Sequence, residues 1–328
     1  MKNFYKILVL ITIPFLLNAC FSLDQEPYKE LSQKNSFKSL QDAQFWVNGM
    51  YASLRNNIYG RAMYATDAQA DFANLARRSS NSDLLTEIHN WTLLTSSNSV
   101  IAAIWQNYFN AIQNINIGLE GIPTIPISAQ GAATSTTQIN QNMGELYLAR
   151  AFYYTYLVTH YCPAYDENSA YGLPLLDKPT INDFPNRSSV KETYEFILAD
   201  IARAEQLLAN VTGSAGKATF SKDAVAALKA RVLLYKEDWN GAYQAANQLI
   251  SANTYPLTTA SSTLQNVWEK DDSAETITRL YARYDRGNTA ELPNGMDVYL
   301  GEEKSYYTQK VLYYYPKLIP TQSFVDLF

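Results

Sequence analysis

The chain has 328 residues, 47% of them hydrophobic, and a formal net charge of −5. This length is enough for a large core, and the hydrophobic content is normal for a globular protein. The acidic balance argues against nucleic acid as a partner and against electrostatic adhesion to anionic lipid. With only two cysteines the chain has no disulfide framework, so its stability must come from packing.

The first nineteen residues have the features of a secretory signal peptide. Two lysines precede an apolar run at positions 7–17, which is followed by Asn18, Ala19 and Cys20. The run is too short to span a bilayer, and a buried helix of the mature fold is the alternative interpretation. The stretch 17–20 resembles a bacterial lipobox, which implies cleavage after residue 19 and acylation of Cys20. Loss of the two lysines would make the net charge −7.

The folded domain is expected over residues 39–328, after a lipidated tether at 20–38 that contains Pro27 and many polar residues. A first helix is predicted from Ser39, where Asp42 completes a partial capping box. Its apolar stripe is assigned to core packing and comprises Ala43, Trp46, Val47, Met50, Tyr51 and Leu54. Trp46 is therefore interpreted as a packing residue rather than a ligand contact.

Residues 217–257 predict two helices joined by a short turn. Ser221 is the expected N-cap of the first helix and Asp238 of the second. The predicted packing positions are Ala224, Ala227, Leu228, Arg231, Val232, Leu234 and Tyr235, then Trp239, Ala242, Ala246, Leu249 and Ile250. Helices joined so closely must pack antiparallel, and the order of parts resembles a tetratricopeptide repeat.

One hairpin cannot bury its own apolar faces, so neighbouring helices are required. The sequence predicts them at 100–119, 143–161 and 190–208, the last starting with Ser189 and Glu192 in capping-box spacing. The predicted fold class is therefore mainly all-α, with little β structure. It consists of tetratricopeptide-like hairpins over about 100–257 and irregular, loop-rich insertions.

The regular pattern fails over residues 56–99 and again over about 258–320. Residues 128–137 are predicted to be a flexible, low-complexity linker. Long irregular polar segments in a compact chain are often functional, whereas a variable surface insertion is the alternative for 56–99. We assign both irregular segments to the ligand side of the domain.

The chain contains 25 tyrosines, 13 phenylalanines and 5 tryptophans. Flat rings stack on the apolar faces of sugars, while polar side chains bond the hydroxyl groups. Aromatic residues outside the helical stripes are the candidate ligand-binding residues, with ordinary packing as the alternative for each of them: Trp91, Tyr59, Tyr64, Tyr281, Tyr284 and Tyr299. Trp91 is the first choice because it lies in irregular sequence ahead of a core helix.

Nothing in the sequence points to catalysis. Asp67, Asp71 and Glu87 share the irregular segment with Asp83, but no two of these carboxylates stand out as a glycosidase pair. Nucleophile-elbow, phosphate-loop and zinc-protease motifs are absent from the sequence. With two histidines a histidine-rich metal site is excluded, and we predict no cofactor, although a calcium site built from oxygen ligands remains open.

Several stretches, in order, resemble the SusD/RagB family of outer-membrane nutrient-binding lipoproteins from Bacteroidetes. They are Cys20 with Leu23-Asp24 and Pro27; Trp105, Tyr108, Ile112 and Asn116; Gly144-Glu145-Leu146-Tyr147-Leu148-Ala149-Arg150-Ala151-Phe152-Tyr153-Tyr154; Tyr171-Gly172-Leu173-Pro174-Leu175; Arg187-Ser188, Tyr194, Ile197, Asp200-Ile201 and Ala204; and the hairpin from Lys217-Ala218 to Asp238-Trp239.

The resemblance implies a right-handed superhelix of hairpins and non-enzymatic binding of a nutrient, most often a glycan. It also implies a SusC-like TonB-dependent transporter as partner and an outer-membrane location, lipid-anchored through Cys20 and facing the cell exterior. The segment 313–327 resembles a mid-chain part of the family, whose members normally continue further. The chain is thus either a truncated product or a short member.

Two other functions stay open from the residues themselves. The repeats could form a protein-interaction scaffold or a peptide-binding lipoprotein, as tetratricopeptide proteins often do. A glycoside hydrolase is the other. The direction in which the aromatic side chains of the repeat helices point distinguishes a protein-interaction scaffold from a glycan binder.

Overall fold

The structure is a computed structural model that describes residues 36–58, 62–75, 84–92, 94–127, 131–180, 185–259, 273–280, 304–307, 310–313 and 318–320. The helices are α1 (Leu40–Asn57), α2 (Met63–Gln69), α3 (Leu84–His89), α4 (Ser99–Gly121), α5 (Ala132–Tyr161), α6 (Val190–Leu207), α7 (Lys222–Tyr235) and α8 (Trp239–Ala252). A 3-10 turn follows α4 at Ile122–Thr124. The strands are β1 (Ala73–Leu75), β2 (Lys304–Tyr307), β3 (Lys310–Tyr313) and β4 (Leu318–Pro320).

The long helices pack as a stack of neighbours, as the hairpin pattern predicts. α4 packs on α5, α5 on α6, α6 on α7 and α7 on α8, while α1 lies against both α4 and α5. The mainly helical fold class is thereby confirmed. Within the described ranges, no helix is both long enough and apolar enough to cross a bilayer.

The predicted helix starts are confirmed at the N-caps. Ser39 and Ser189 each form a complete capping box with the acidic residue three positions later. Ser221 caps α7 and Asp238 caps α8 through their side-chain oxygens. Each cap satisfies a backbone N–H that the helix itself leaves unpaired, which is why local sequence suffices to locate these starts.

The linker predicted at 128–137 is wrong over residues 132–137, because α5 begins at Ala132 and runs for 30 residues. Gly131 precedes it in the left-handed region at φ 81°. The small polar residues that suggested a linker are accommodated in the helix: the Thr137 hydroxyl donates to the carbonyl of Ala133. Burial of Ile139 further along draws this first part of α5 into the fold.

The packing stripe predicted for α7 and α8 is correct only in part. Ala224, Leu228, Val232 and Ala242 are buried. By contrast, five predicted packing residues are exposed: Arg231, Leu234 (50%), Tyr235 (46%), Trp239 (63%) and Ile250 (73%). Ala242 and Ala245 are the buried residues of α8, whereas its large residues Trp239 and Ile250 lie on a part of the helix surface that stays exposed.

The segment 56–99 is less irregular than predicted, since it contains α2, β1 and α3. Each is too short to stand out by periodicity, and isolated helices of this length are unstable without tertiary contacts. β1 pairs antiparallel with β4, with Asn74 opposite Ile319. This pairing joins the two segments that the sequence assigns to the ligand side. β2 and β3 form a separate antiparallel pair.

A buried ion pair ties together α4, α5 and α6. The Arg150 guanidinium donates to both carboxylate oxygens of Asp200, each at 2.7 Å, and to the Asn116 side-chain oxygen at 2.7 Å. The Asn116 amide in turn donates to the carbonyls of Leu176 and Lys178. Burial opposes the charged form of Arg150, but the hydrogen bonds and charge of Asp200 outweigh it and raise its pKa.

A buried carboxylate connects α1 to α5. Glu145 is 2% exposed and accepts hydrogen bonds from the Tyr51 hydroxyl at 2.8 Å and from the Gln141 amide at 2.8 Å. The backbone N–H of Phe220 donates to the same Tyr51 hydroxyl at 2.6 Å. Burial raises the pKa of Glu145, against the opposing effect of these hydrogen bonds and of the Lys217 charge.

We expect Asp200→Ala to lower the free energy of unfolding by about 3–5 kcal/mol, because it leaves the Arg150 charge buried without its partner. Glu205→Gln on the same helix is the matched control, since it breaks an exposed ion pair with Lys229 and should cost less than about 1 kcal/mol. Urea unfolding measures both. Equal losses in the two variants would contradict the role of the buried pair.

Glu145→Gln should flatten the dependence of stability on pH. A carboxyl group whose pKa is raised on folding binds its proton more tightly in the native state, so it lowers stability as pH rises above the ordinary glutamate pKa of about 4.3. As the pH rises from about 4 to about 7, the wild type should therefore lose stability relative to Glu145→Gln. Thermal unfolding across this range measures the difference, and Glu195→Gln at an exposed position of α6 is the control. Parallel curves for Glu145→Gln and wild type would contradict the prediction.

Candidate functional site

The end of α2 is closed by donors from two different parts of the chain. A helix leaves its last four carbonyls without partners inside the helix. In α2 the first two are satisfied by the backbone: Ala70 N–H donates to Thr66 at 2.9 Å and Phe72 N–H to Asp67 at 3.1 Å. The other two carbonyls are bonded by side chains at the end of α3 and directly after it. His89 Nδ1 lies 3.1 Å from the Ala68 carbonyl, and Trp91 Nε1 donates to the Gln69 carbonyl at 3.2 Å.

Both short helices end with a bulky or charged residue in the left-handed region. Asp71 has φ 59° after α2, and Trp91 has φ 55° after α3. The bond from Phe72 N–H to Asp67 has its counterpart in the bond from Thr92 N–H to Glu87, the 6→1 bond of a Schellman motif. Glycine normally occupies this position, and a tryptophan there costs about 1–2 kcal/mol of backbone strain. Such an outlier is a reason to look for a function.

Trp91 presents its ring to solvent from a fixed base. Its exposed fraction is 65%, and that of Phe72 is 47%. The helices that carry them are anchored below: Tyr64 and Ile88 are each 1% exposed. The Tyr156 hydroxyl of α5 adds a bond to the Ala62 carbonyl at the start of α2. The aromatic surface is thus exposed while its support is buried.

One predicted ligand residue, Tyr64, is buried, and one aromatic residue that was not predicted as a ligand contact, Phe72, is exposed. Tyr64 lies on the face of α2 that packs into the core, so neither face of its ring can stack on a sugar. Phe72 lies in the irregular segment and follows Asp71, whose left-handed backbone conformation the sequence does not reveal. Four tyrosines, at positions 59, 281, 284 and 299, lie outside the described residues, as does Cys20.

Several titratable side chains lie in the same segment of the chain as the two exposed rings. His89 Nδ1 is 3.7 Å from an Asp71 carboxylate oxygen, and the Glu87 carboxylate accepts a bond from the Asn98 amide at 2.8 Å. Burial raises the pKa of Asp67. Within the described ranges, no three histidine, cysteine or carboxylate side chains group together in a way that would hold a metal ion.

A cavity of about 540 Å³ lies elsewhere, between α1 and α4. Phe45, Trp46, Met50 and Ile115 contribute to its apolar wall. The ring of Trp46 packs on that of Phe37 at 5.0 Å, and its Nε1 donates to the Asn114 carbonyl. Trp46 is therefore held by packing as predicted, and Trp91 and Phe72 are not part of this cavity wall.

Comparison with known proteins supports one family. A SusD-like family model, described as starch-binding and associating with the outer membrane, matches residues 22–234. A SusD-like protein of Formosa agariphila is 28% identical over 283 residues, which are 83% of this chain and 51% of the relative. The chain spans about half the length of the curated relatives it matches.

Solved structures agree in fold. A SusD superfamily protein from Bacteroides thetaiotaomicron matches with a TM-score of 0.73 at 22% identity, over 88% of this chain and 61% of that one. A SusD-like carbohydrate-binding protein from Bacteroides vulgatus matches with a TM-score of 0.61 at 20% identity, over 74% of this chain and 50% of that one. Because the family model covers well over half of the sequence, and because the helical stack agrees with these structures, the chain belongs to the SusD-like family of starch-binding proteins that associate with the outer membrane.

Proposed function

We propose that the protein binds a glycan on the cell surface and catalyses no reaction, with the Trp91 ring as the stacking platform. The observation that carries this proposal is the Trp91 side chain itself. It is 65% exposed, its backbone is strained, and its Nε1 is bonded to the end of α2. A large exposed ring held at the expense of strain is costly for stability, so ligand contact is the better explanation than packing.

The arrangement suits a sugar. An exposed indole offers an apolar face of the size of a pyranose ring, and Phe72, three residues after the end of α2, supplies a second exposed aromatic surface. Carboxylate oxygens of Asp71 and Glu87 lie on the same segment and can accept bonds from sugar hydroxyls. A ring fixed before binding loses little conformational entropy when the ligand arrives.

Family membership and the N-terminal sequence support a cellular role for this binding. We propose that the Cys20 lipid anchor holds the protein on the outer membrane, facing the exterior. The bound glycan is then handed to a SusC-like TonB-dependent transporter. The carbohydrate-binding relative from Bacteroides vulgatus supports sugar as the nutrient class.

A protein-interaction role has one observation in its favour. Trp239 and Tyr243 lie one turn apart on α8 and are 63% and 67% exposed. Exposed aromatic residues on a repeat helix are the feature that a docking surface requires. This surface is compatible with glycan binding, because it lies on the repeat hairpin and not on α2 or α3.

A binding screen of the purified chain against a glycan panel tests the proposal. We expect Trp91→Ala to weaken binding of the best glycan by about tenfold or more, since a central stacking residue is lost. Trp239→Ala removes an aromatic residue of nearly equal exposure and should leave affinity unchanged. Isothermal titration calorimetry measures both. Failure of the wild type to bind any glycan would refute the proposed function, and normal binding by Trp91→Ala would refute the site.

The strained backbone at Trp91 gives a second prediction, which concerns stability. Trp91→Gly and Trp91→Ala both remove the ring and its bond, but only alanine keeps the strain of the left-handed region. We therefore expect the glycine variant to be more stable by about 1 kcal/mol. Gln244→Gly and Gln244→Ala, at an exposed helical position of α8, are the control. There the alanine variant should be the more stable one, by about 1 kcal/mol. Chemical denaturation of the four variants measures both differences in the free energy of unfolding. If alanine were more stable than glycine at both positions, the left-handed conformation of residue 91 would be contradicted.

A further inference from the structure

The exposed ring of Trp91 needs something to fix its orientation. A side chain with 65% of its surface in water has few packing contacts, and its single described hydrogen bond, from Nε1 to the Gln69 carbonyl, is itself exposed. Water competes for an exposed bond of this kind, which limits its net contribution. The distance between the end of α3 and the end of α2 must therefore be set by a more sheltered contact.

His89 makes that contact. It lies two residues before Trp91, its side chain is only 17% exposed, and its Nδ1 is 3.1 Å from the Ala68 carbonyl. A carbonyl oxygen can only accept, so Nδ1 must carry the proton. Ala68 and Gln69 are the last two residues whose carbonyls α2 leaves unpaired. The His89 and Trp91 donors, which lie two positions apart, thus bind adjacent carbonyls.

The short length of α3 makes this contact important. A six-residue helix does not persist without tertiary support. Support from the core comes from Ile88, which is 1% exposed. The Glu87 carboxylate is bonded to Asn98, which fixes the start of the following helix. His89 and Trp91 both connect the end of α3 to the end of α2, and of these two side chains His89 is the more sheltered.

We propose that His89 is a positioning residue for ligand binding: by donating its Nδ1 proton to the Ala68 carbonyl, it holds the Trp91 ring in the orientation that meets the ligand. This inference rests on the proposed glycan site at Trp91. His89 itself does not touch the ligand. It acts through the alignment of the two helix ends.

Two substitutions of His89 distinguish the effect of its hydrogen-bond donor from the effect of its size. In His89→Asn the side-chain Nδ2 can take the place of Nδ1, so the bond to Ala68 is retained. His89→Leu keeps an apolar side chain of similar size and removes the donor. We expect His89→Leu to weaken glycan binding about fivefold, the factor that corresponds to one neutral hydrogen bond, and His89→Asn to stay within about twofold of wild type.

A second measurement reports on Trp91 without any ligand. In protein labelled with ¹⁵N-tryptophan, the indole resonance of Trp91 is identified by its loss in Trp91→Phe. The exchange of its Nε1 proton with water should be several-fold faster in His89→Leu and unchanged in His89→Asn. Val232→Ala, a cavity variant at a fully buried position of α7, should lower stability without changing either the exchange or the affinity.

Each outcome decides the proposal. Weaker binding and faster indole exchange in His89→Leu, with rescue by His89→Asn, support it. Wild-type exchange in His89→Leu overturns it, and so does an asparagine variant that behaves like the leucine variant. If the wild type binds no glycan, the proposed function fails on its own, while the indole exchange still shows whether His89 positions Trp91.

Discussion

The Arg150–Asp200 ion pair is the constraint on which the helical stack depends. Two charges in the core are tolerated only if they neutralise each other and find enough hydrogen-bond partners. Here the guanidinium is bonded on two edges, by Asp200 and Asn116, and its face lies 5.0 Å from the ring of Phe196. These groups come from α4, α5 and α6, so the geometry of the pair fixes how three helices sit relative to one another.

The pair also reaches the chain outside the helices. Asn116 uses its amide to hold two carbonyls of the connection before α6, and the Tyr154 hydroxyl accepts a bond from the Leu176 N–H of the same connection. A long loop that would otherwise be expensive to order is thereby attached to the core by polar contacts. On the other side of α5, Glu145 and Tyr51 attach α1 in the same manner. Polar groups fix the register of helices that apolar packing alone would leave loose.

The candidate site follows a different design. Its two short helices have buried sides, but their ends carry left-handed residues and exposed rings. The four terminal carbonyls of α2 are all satisfied, two of them by the side chains that accompany the exposed ring. A rigid core scaffold thus supports a small, strained and solvent-facing element. This division of roles is common where a stable fold carries a binding surface on its connections.

Much of the scaffold follows from sequence alone. Caps such as Ser189 and Asp238 are local signals, because they depend on hydrogen bonds within four residues, and the 3.6-residue period of the long helices is preserved over many turns. The aromatic content and the choice of Trp91 also came from sequence. The short helices did not, because six or seven residues give too few turns for a period to be recognised.

Only the tertiary structure decided which aromatic residues are available. Tyr64 and Trp91 both lie in the segment that the sequence shows as irregular. Tyr64 is on the buried face of α2, whereas Trp91 is exposed after the end of α3. That difference depends on the direction in which each short helix packs and on the left-handed turn that ends it. Tertiary contacts also decide the exposure of Trp239. The periodic pattern of a helix identifies an apolar face, but it does not say whether another element covers that face. The sequence by itself determined the capped starts of α1, α6, α7 and α8 and which residues could bind a sugar. It did not determine the start of α5, whose first residues are small and polar. The fold decided which of the candidate sugar-binding residues face solvent, because burial depends on contacts between residues far apart in the chain.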